Sequence, residues 1–248
     1  MSARPDGKSD VAPSTRLLLD VVGVPLTLGP GLMAWGSLAA ALLLSEGPRA
    51  RIAWLLVAPL WVPAVFLSCL AALRVVLPRL EAGVHPLVLS RPIVAWYAHL
   101  ALNRAPDVAC LRLPLNAFFL SRHLLWRALG ARTAFGVSTS LSCVWTDWPL
   151  IEIGPGSLFG GNVTLSCHAV LGDTLVLAPI RIGSGVFVGM NCTLGPGTTL
   201  GDRSWVGFGN NMYGDELPAG SRVEAQEWLH GSPARRDRVS GRTGRGTG

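Results

Sequence analysis

The chain has 248 residues, half of them hydrophobic, and a formal net charge of +6. Lys8 is its only lysine, so the positive excess is arginine, much of it in the tail after Ser232. The five scattered cysteines (Cys69, Cys110, Cys143, Cys167, Cys192) contain no CxxC, which argues against a disulfide framework or a zinc site and for buried thiols in a reducing compartment. A basic tail without interleaved aromatics argues against nucleic acid as a partner.

Residues 1–16 are polar and read as a disordered N-terminus. Two apolar runs follow, roughly Val24–Leu44 and Ile52–Leu77. A bilayer span needs about 20 mostly apolar residues, and both runs meet that length. A secretory h-region is shorter, about 7–15 residues, and a second run would not follow it at once. Residues 17–80 therefore read as a transmembrane helical hairpin, with Trp35, Trp54 and Trp61 as interfacial anchors. Arg4, Lys8, Arg16, Arg74, Arg79 and Arg91 flank the hairpin, whereas Arg49 and Arg51 lie in its link. The positive-inside rule then puts both ends in the cytoplasm, on the inner membrane of the cell.

From 81 to 128 the pattern becomes amphipathic. Ile93, Trp96, Tyr97 and Leu100 make one stripe; Leu115, Phe118, Phe119, Leu125, Trp126 and Leu129 make another, with Arg122, His123 and Arg127 beside it. Such helices suit a membrane interface, or equally the capped end of a neighbouring domain.

Residues 129–234 carry a period of six. The key positions are Leu129, Phe135, Leu141, Asp147, Ile153, Phe159, Leu165 and Leu171, then Ile182, Val188, Leu194, Leu200, Val206 and Met212. Asp147 alone among these is not apolar, and glycine follows ten of the fourteen. Neither a helix nor an ordinary strand has this period, and a hexad repeat is the signature of a parallel β-helix. Glycine suits a corner with unusual dihedrals or a close backbone approach. The register fails once, between Leu171 and Ile182, so Asp173–Pro179 holds a slip or an extruded loop, with His168 just before it. Asp147, beside Trp145 and Trp148, reads as capping a bulged loop or, as the alternative, as binding an acceptor. Residues 235–248 read as a basic disordered tail.

The hexad array resembles the left-handed β-helix, hexapeptide-repeat acyltransferases. A closer resemblance, from about Leu77 to Arg235, is to the membrane-linked β-helix modules at the C-terminal end of nonribosomal peptide synthetase-like proteins, including the poly-lysine synthetase type. It rests on Leu124–Arg132 (LLWRALGAR), Thr146–Gly154 (TDWPLIEIG), Leu165–Asp173 (LSCHAVLGD), Leu177–Gly183 (LAPIRIG) and Trp228–Arg235 (WLHGSPAR).

The resemblance implies an all-β left-handed parallel β-helix behind an α-helical membrane hairpin and interfacial helices. It also implies a homotrimer, with the pantetheine arm of a thioester donor lying between neighbouring prisms. Acyl-CoA or a carrier-protein thioester would be the donor substrate, with no tightly bound cofactor, and a small-molecule hydroxyl or amine the acceptor. Membrane lipid and a carrier protein are the implied partners. Carried onto this chain, the general base is His168, oriented by Asp173, although the closer relatives often carry their acid about three residues after the histidine. Imidazole suits the role because its proton affinity lies near neutrality. Gly189, Asn191, Gly207, Arg235 and Arg236 are the positions assigned to the donor, the two arginines to its phosphates. Asn191, with Asn210 and Asn211, also suits a corner ladder. The alternative function is a non-catalytic membrane scaffold that trimerises or docks a synthetase.

Overall fold

The computed structural model describes residues 13–225. It divides into two compact units. The first takes everything described up to Arg132, with two later insertions, Thr146–Ile151 and His168–Ala178. The second takes Thr133–Trp145, Glu152–Cys167 and everything described from Pro179 onward.

The first unit begins with α1 (Pro13–Leu44) and α2 (Pro48–Val76), joined by a link containing Gly47. Both are long and apolar enough to cross a membrane, by length and composition. Each holds two internal prolines, Pro25 and Pro30 in α1 and Pro59 and Pro63 in α2. Then come α3 (Arg91–Val108), α4 (Arg112–Ala117) and α5 (Phe119–Leu129). The amphipathic region also contains a strand, β1 (Gly83–Pro86), that the helical stripes did not announce.

The second unit is a parallel β-helix. Its three sheets run through β2 (Arg132–Thr133), β5 (Ile151–Ile153), β10 (Ile180–Ile182), β13 (Thr199–Leu200) and β16 (Glu216–Leu217); β3 (Ser138–Thr139), β6 (Leu158–Phe159), β11 (Phe187–Val188), β14 (Trp205–Val206) and β17 (Arg222–Val223); and β4 (Val144–Trp145), β7 (Thr164–Leu165), β12 (Thr193–Leu194) and β15 (Asn211–Met212). Each coil contributes one strand per sheet, and Val188 pairs with Val206 three hexads later. The key apolar residues stack inside: Ile182, Leu200 and Leu217; Phe159, Val188 and Val206; Leu165, Leu194 and Met212. Each such side chain, fully buried, contributes about 1.5–3 kcal/mol.

Two before most of these positions stands a small or β-branched residue that is also buried: Ser157, Val163, Val186, Cys192, Thr198 and Ser204. The Ser157 hydroxyl donates to the Gly183 carbonyl at 2.8 Å, and the Thr198 hydroxyl to the Met212 carbonyl at 3.2 Å. At Ser157 and Thr198 the narrow core tolerates the hydroxyl because the adjoining coil accepts its proton.

Three features of the hexad register need correction. In the first coil, Thr139 pairs with Phe159 and Trp145 with Leu165, so Thr133, Thr139 and Trp145 occupy the inward sites. Phe135 and Leu141 are exposed, and Leu129 ends α5. The cause is a detour after Trp145, where Asp147 adopts a left-handed conformation (φ 55°) before a 3₁₀ turn at Trp148–Leu150. It lengthens that corner by two residues, which shifts every earlier hexad. Secondly, Leu171 is not inward; it is exposed on a hairpin. Thirdly, a further coil follows Met212, with β16 and β17 reached through a shortened corner.

The glycine after each key residue serves close approach. A Cβ on Gly189 would lie 2.6 Å from the amide nitrogen of Phe208 in the next coil, and one on Gly207 would collide with the backbone of Ala225.

Candidate active site

The break in the hexads is an antiparallel hairpin, β8 (His168–Leu171) and β9 (Thr174–Leu177). Strand β9 pairs on its other side with β1, in the register Gly83 to Leu177 and Pro86 to Thr174. His168 opens β8, directly across from Leu177. Leu175 and Leu177 turn into a core with Ile93 of α3, against which Leu87, Trp96 and Leu150 pack. Because strand faces alternate, His168 shares the face of Leu177 and points toward α3. There the Trp96 ring meets the imidazole edge-on, at 5.1 Å between centroids and 66° between planes.

The side chain that grips the imidazole is Asp147. His168 Nδ1–H donates to Asp147 Oδ2 at 2.6 Å. The aspartate side chain is 0% exposed and the histidine side chain 22%. Oδ2 also accepts from the Thr146 hydroxyl at 3.0 Å. The other oxygen, Oδ1, is buried with no hydrogen-bond partner among the described residues. A carboxylate so poorly solvated leans on its few donors, and a charge-assisted bond of this kind is worth about 1.5–3 kcal/mol. With Nδ1–H committed to Oδ2, the neutral ring carries its basic lone pair on Nε2.

Local backbone explains the placement of Asp147. Its left-handed conformation starts the 3₁₀ turn, and its carbonyl accepts the Leu150 N–H at 2.8 Å. Trp148 anchors the turn, with its indole N–H on Asn103 Oδ1 at 2.7 Å and its ring stacked on Trp126. Asp147 thus stands at the head of the bulged turn, but its side chain makes no cap bond there and holds the histidine instead.

Asp173, expected to orient His168, does not. It lies exposed at the hairpin turn, where its carboxylate accepts from the Thr174 hydroxyl at 3.3 Å. His168 stands at the opposite end of the hairpin, paired with Leu177. The positions assigned to the donor have structural duties in the prism. The Gly189 N–H donates to Val206 and the Gly207 N–H to Val223, both as rungs of the β-helix. Asn191, left-handed at φ 55°, accepts from the Asn162 side chain at 3.1 Å, which is a corner ladder. Asn210 ties Gly207 to Glu224 through its amide. Arg235 and Arg236, the closing Trp228–Arg235 motif and the basic tail lie outside the described residues. Cys167 is fully buried, and burial pushes the Cys192 thiol up, which keeps it protonated.

A second buried histidine escaped the sequence reading. His99 of α3 donates Nε2–H to the Pro78 carbonyl at 2.9 Å. Burial holds its pKa below the usual histidine value, opposed by the Pro78 bond; the Arg74 charge lowers it further and the Asp147 charge raises it. A depressed histidine pKa means that the unfolded chain takes up a proton that the folded chain refuses. Stability therefore rises with pH through this window and falls as pH drops below about 6.5, the ordinary value. His99→Gln, which keeps a donor for Pro78, is expected to flatten the acid limb of thermal stability between about pH 7 and 5. An acid limb of unchanged slope would assign that loss to other groups.

No protein-family model matches the chain. Over 105 residues it is 28% identical to the putative acetyltransferase YvoF of Bacillus subtilis (strain 168), an alignment covering 42% of this chain and 59% of that protein. The chain thus spans about three fifths of the curated relative it matches. Among solved structures it is similar to a maltose O-acetyltransferase from Clostridium difficile 630, at 16% identity and a TM-score of 0.38, covering 46% of this chain and 78% of that one. It is also similar to a hexapeptide-repeat-containing acetyltransferase from Vibrio cholerae, at 20% identity and a TM-score of 0.38, covering 54% of this chain and 88% of that one. A third, galactoside acetyltransferase in complex with coenzyme A, aligns at 20% identity and a TM-score of 0.31, covering 46% of this chain and 72% of that one. The proteins that this chain is similar to are thus named acetyltransferases, of the hexapeptide-repeat kind where the name says so.

Proposed function

We propose that this protein is a membrane-anchored acyltransferase that moves an acyl group from a coenzyme A thioester to a hydroxyl or amine. The observation that carries this reading is the pairing of His168 Nδ1 with the fully buried Asp147 carboxylate. A scaffold has no use for a half-buried imidazole whose tautomer is set by an otherwise unsolvated carboxylate.

In the proposed step, His168 Nε2 takes the proton from the acceptor O–H or N–H as that atom attacks the thioester carbonyl. Asp147 stabilises the imidazolium that forms, as the carboxylate of a catalytic triad does. The tetrahedral oxyanion then collapses, the C–S bond breaks, and the leaving thiolate takes the proton back from the imidazolium. No covalent enzyme intermediate is needed when acceptor and thioester are held together.

The reading includes left-handed winding of the β-helix, trimerisation, anchoring through α1 and α2, and a cytoplasmic site. A carrier-protein thioester, as in synthetase-like pathways, is the alternative donor. The B. subtilis relative, by its name, supports acetyl as the group transferred.

The test is incubation of the purified full chain in detergent with acetyl-CoA and a panel of sugar, amino-acid and lipid-headgroup acceptors, following free thiol. Acceptor-dependent thiol release is expected. Silence with every coenzyme A thioester would remove that donor class, and silence with carrier-protein thioesters as well would leave the scaffold.

A further inference from the structure

The two apolar helices are not equally bare along their lengths. Helix α3 runs parallel to α1 and covers one side of it from Asp20 to Trp35, while Leu17, Val21, Val24, Leu28, Leu32 and Met33 stay exposed. Tyr97 OH donates to Asp20 Oδ1 at 3.0 Å, the Thr27 hydroxyl to the Ala101 carbonyl at 3.1 Å, and the Trp35 indole N–H to the Ala109 carbonyl at 3.1 Å. Arg104 and Asp107 of α3 are exposed. On α2, Val62, Phe66 and Leu70 of the second half are buried, whereas Ile52, Leu55, Leu56 and Leu60 of the first half are exposed. The Trp61 indole donates to Ser37 Oγ at 3.0 Å and aligns the two levels.

The exposed apolar surface of the hairpin therefore runs along α1 from Leu17 to Leu44 and is joined by the first half of α2.

A further exposed apolar surface lies in the same unit, between α4 and α5. Phe118, Phe119 and Leu120 are consecutive and 72%, 56% and 62% exposed, with Leu113 exposed beside them. The tip is held outward. Phe118 breaks the helix in an extended conformation, and the nearly buried Arg122 donates twice to the Asn116 carbonyl, at 3.0 and 2.7 Å. The same guanidinium lies 5.5 Å from the Phe119 ring centroid and 5.9 Å from that of Trp126. Helix α5 packs on α2, so the tip stands beside the hairpin. Arg112 is paired with Asp107 and Arg122 is buried, but Arg127 and Arg132 of the same stretch are exposed, which suits an anionic lipid surface.

We propose that the Phe118–Leu120 tip, with Leu113, inserts into bilayer hydrocarbon beside the exposed apolar surface of α1 and α2. This rests on the membrane reading above. The occupant is lipid. A second copy of the chain covering the tip is the competing outcome.

The test needs no substitution. Full-length protein is reconstituted into vesicles of phosphatidylcholine and phosphatidylglycerol containing a phospholipid with a photoactivatable diazirine in its acyl chain. After irradiation and trypsin, lipid adducts are mapped by mass spectrometry. Adducts are expected on peptide 113–122 at a level comparable with the hairpin peptides 17–49 and 52–74, and about fivefold or more above peptide 105–112. Adducts on the hairpin peptides but not on 113–122 would overturn the tip proposal and leave the membrane reading standing. Chain-to-chain crosslinks through Phe118–Leu120 in its place would assign the tip to a second copy. Absence of adducts from all of these peptides would sink the membrane reading and the tip with it.

Discussion

Replacing His168 by alanine is expected to lower acceptor-dependent turnover by about 10²–10⁴-fold, the usual worth of a positioned general base. Among the described residues, the substitution removes one of the two side chains that donate to Asp147 Oδ2, the other being Thr146. His168 sits at the half-buried start of a hairpin strand whose buried residues are Leu175 and Leu177 on the partner strand, so the fold should survive. The readout is thiol release from acetyl-CoA with the best acceptor, under saturation in both substrates. A loss confined to KM would mean that His168 binds and does not take the proton. Equal turnover in both proteins would remove it from the reaction.

Asp147→Asn is expected to cost about 10²-fold in kcat, with KM for the donor little changed. Asparagine has nearly the same shape, so the left-handed turn and the 3₁₀ segment should persist. What goes is the negative charge that stabilises the imidazolium and the acceptor-only partner that fixes the ring's tautomer. The decisive measurement is the double variant. Residues that act as a unit are strongly non-additive, so His168→Ala with Asp147→Asn should be no slower than His168→Ala alone. Multiplication of the two losses would show that Asp147 acts elsewhere, for instance through the fold. Asp173→Asn, at the hairpin turn, should leave turnover within about twofold, since its carboxylate meets only Thr174 among the described hydrogen bonds.

Both members of the dyad lie on departures from the repeat, and this explains what could be read and what could not. The eleven-residue interval from Leu171 to Ile182 is visible because it breaks the hexads, and His168 beside it was accordingly singled out. The second departure, after Trp145, is invisible. It inserts two residues, and the chance presence of Leu129, Phe135 and Leu141 at hexad spacing let the rhythm run on in the wrong register. Asp147 then looked like a lapse in an inward series. In the structure it is the residue for which the detour exists, turned by its left-handed backbone toward His168.

Proximity in sequence misled in the same way for Asp173. It is five residues from His168, yet the hairpin carries it to the far end of the pair of strands. Gly189 and Gly207 look like room left for a ligand, but the space is filled by the next coil.

The sequence by itself determined the β-helix and the two long apolar helices, because both are periodic or cumulative properties: every hexad repeats the same steric demand, and every apolar residue adds to the same run. It also marked His168, because a broken period is a local event. Only the tertiary structure decided which carboxylate meets that histidine, which residues of the first coil face inward, and which side of the apolar hairpin is covered. Those depend on which distant segments come together. Asp147 reaches His168 across 21 positions of sequence, and α3 covers α1 across 74. No spacing rule spans such intervals; the packing of the folded chain sets them.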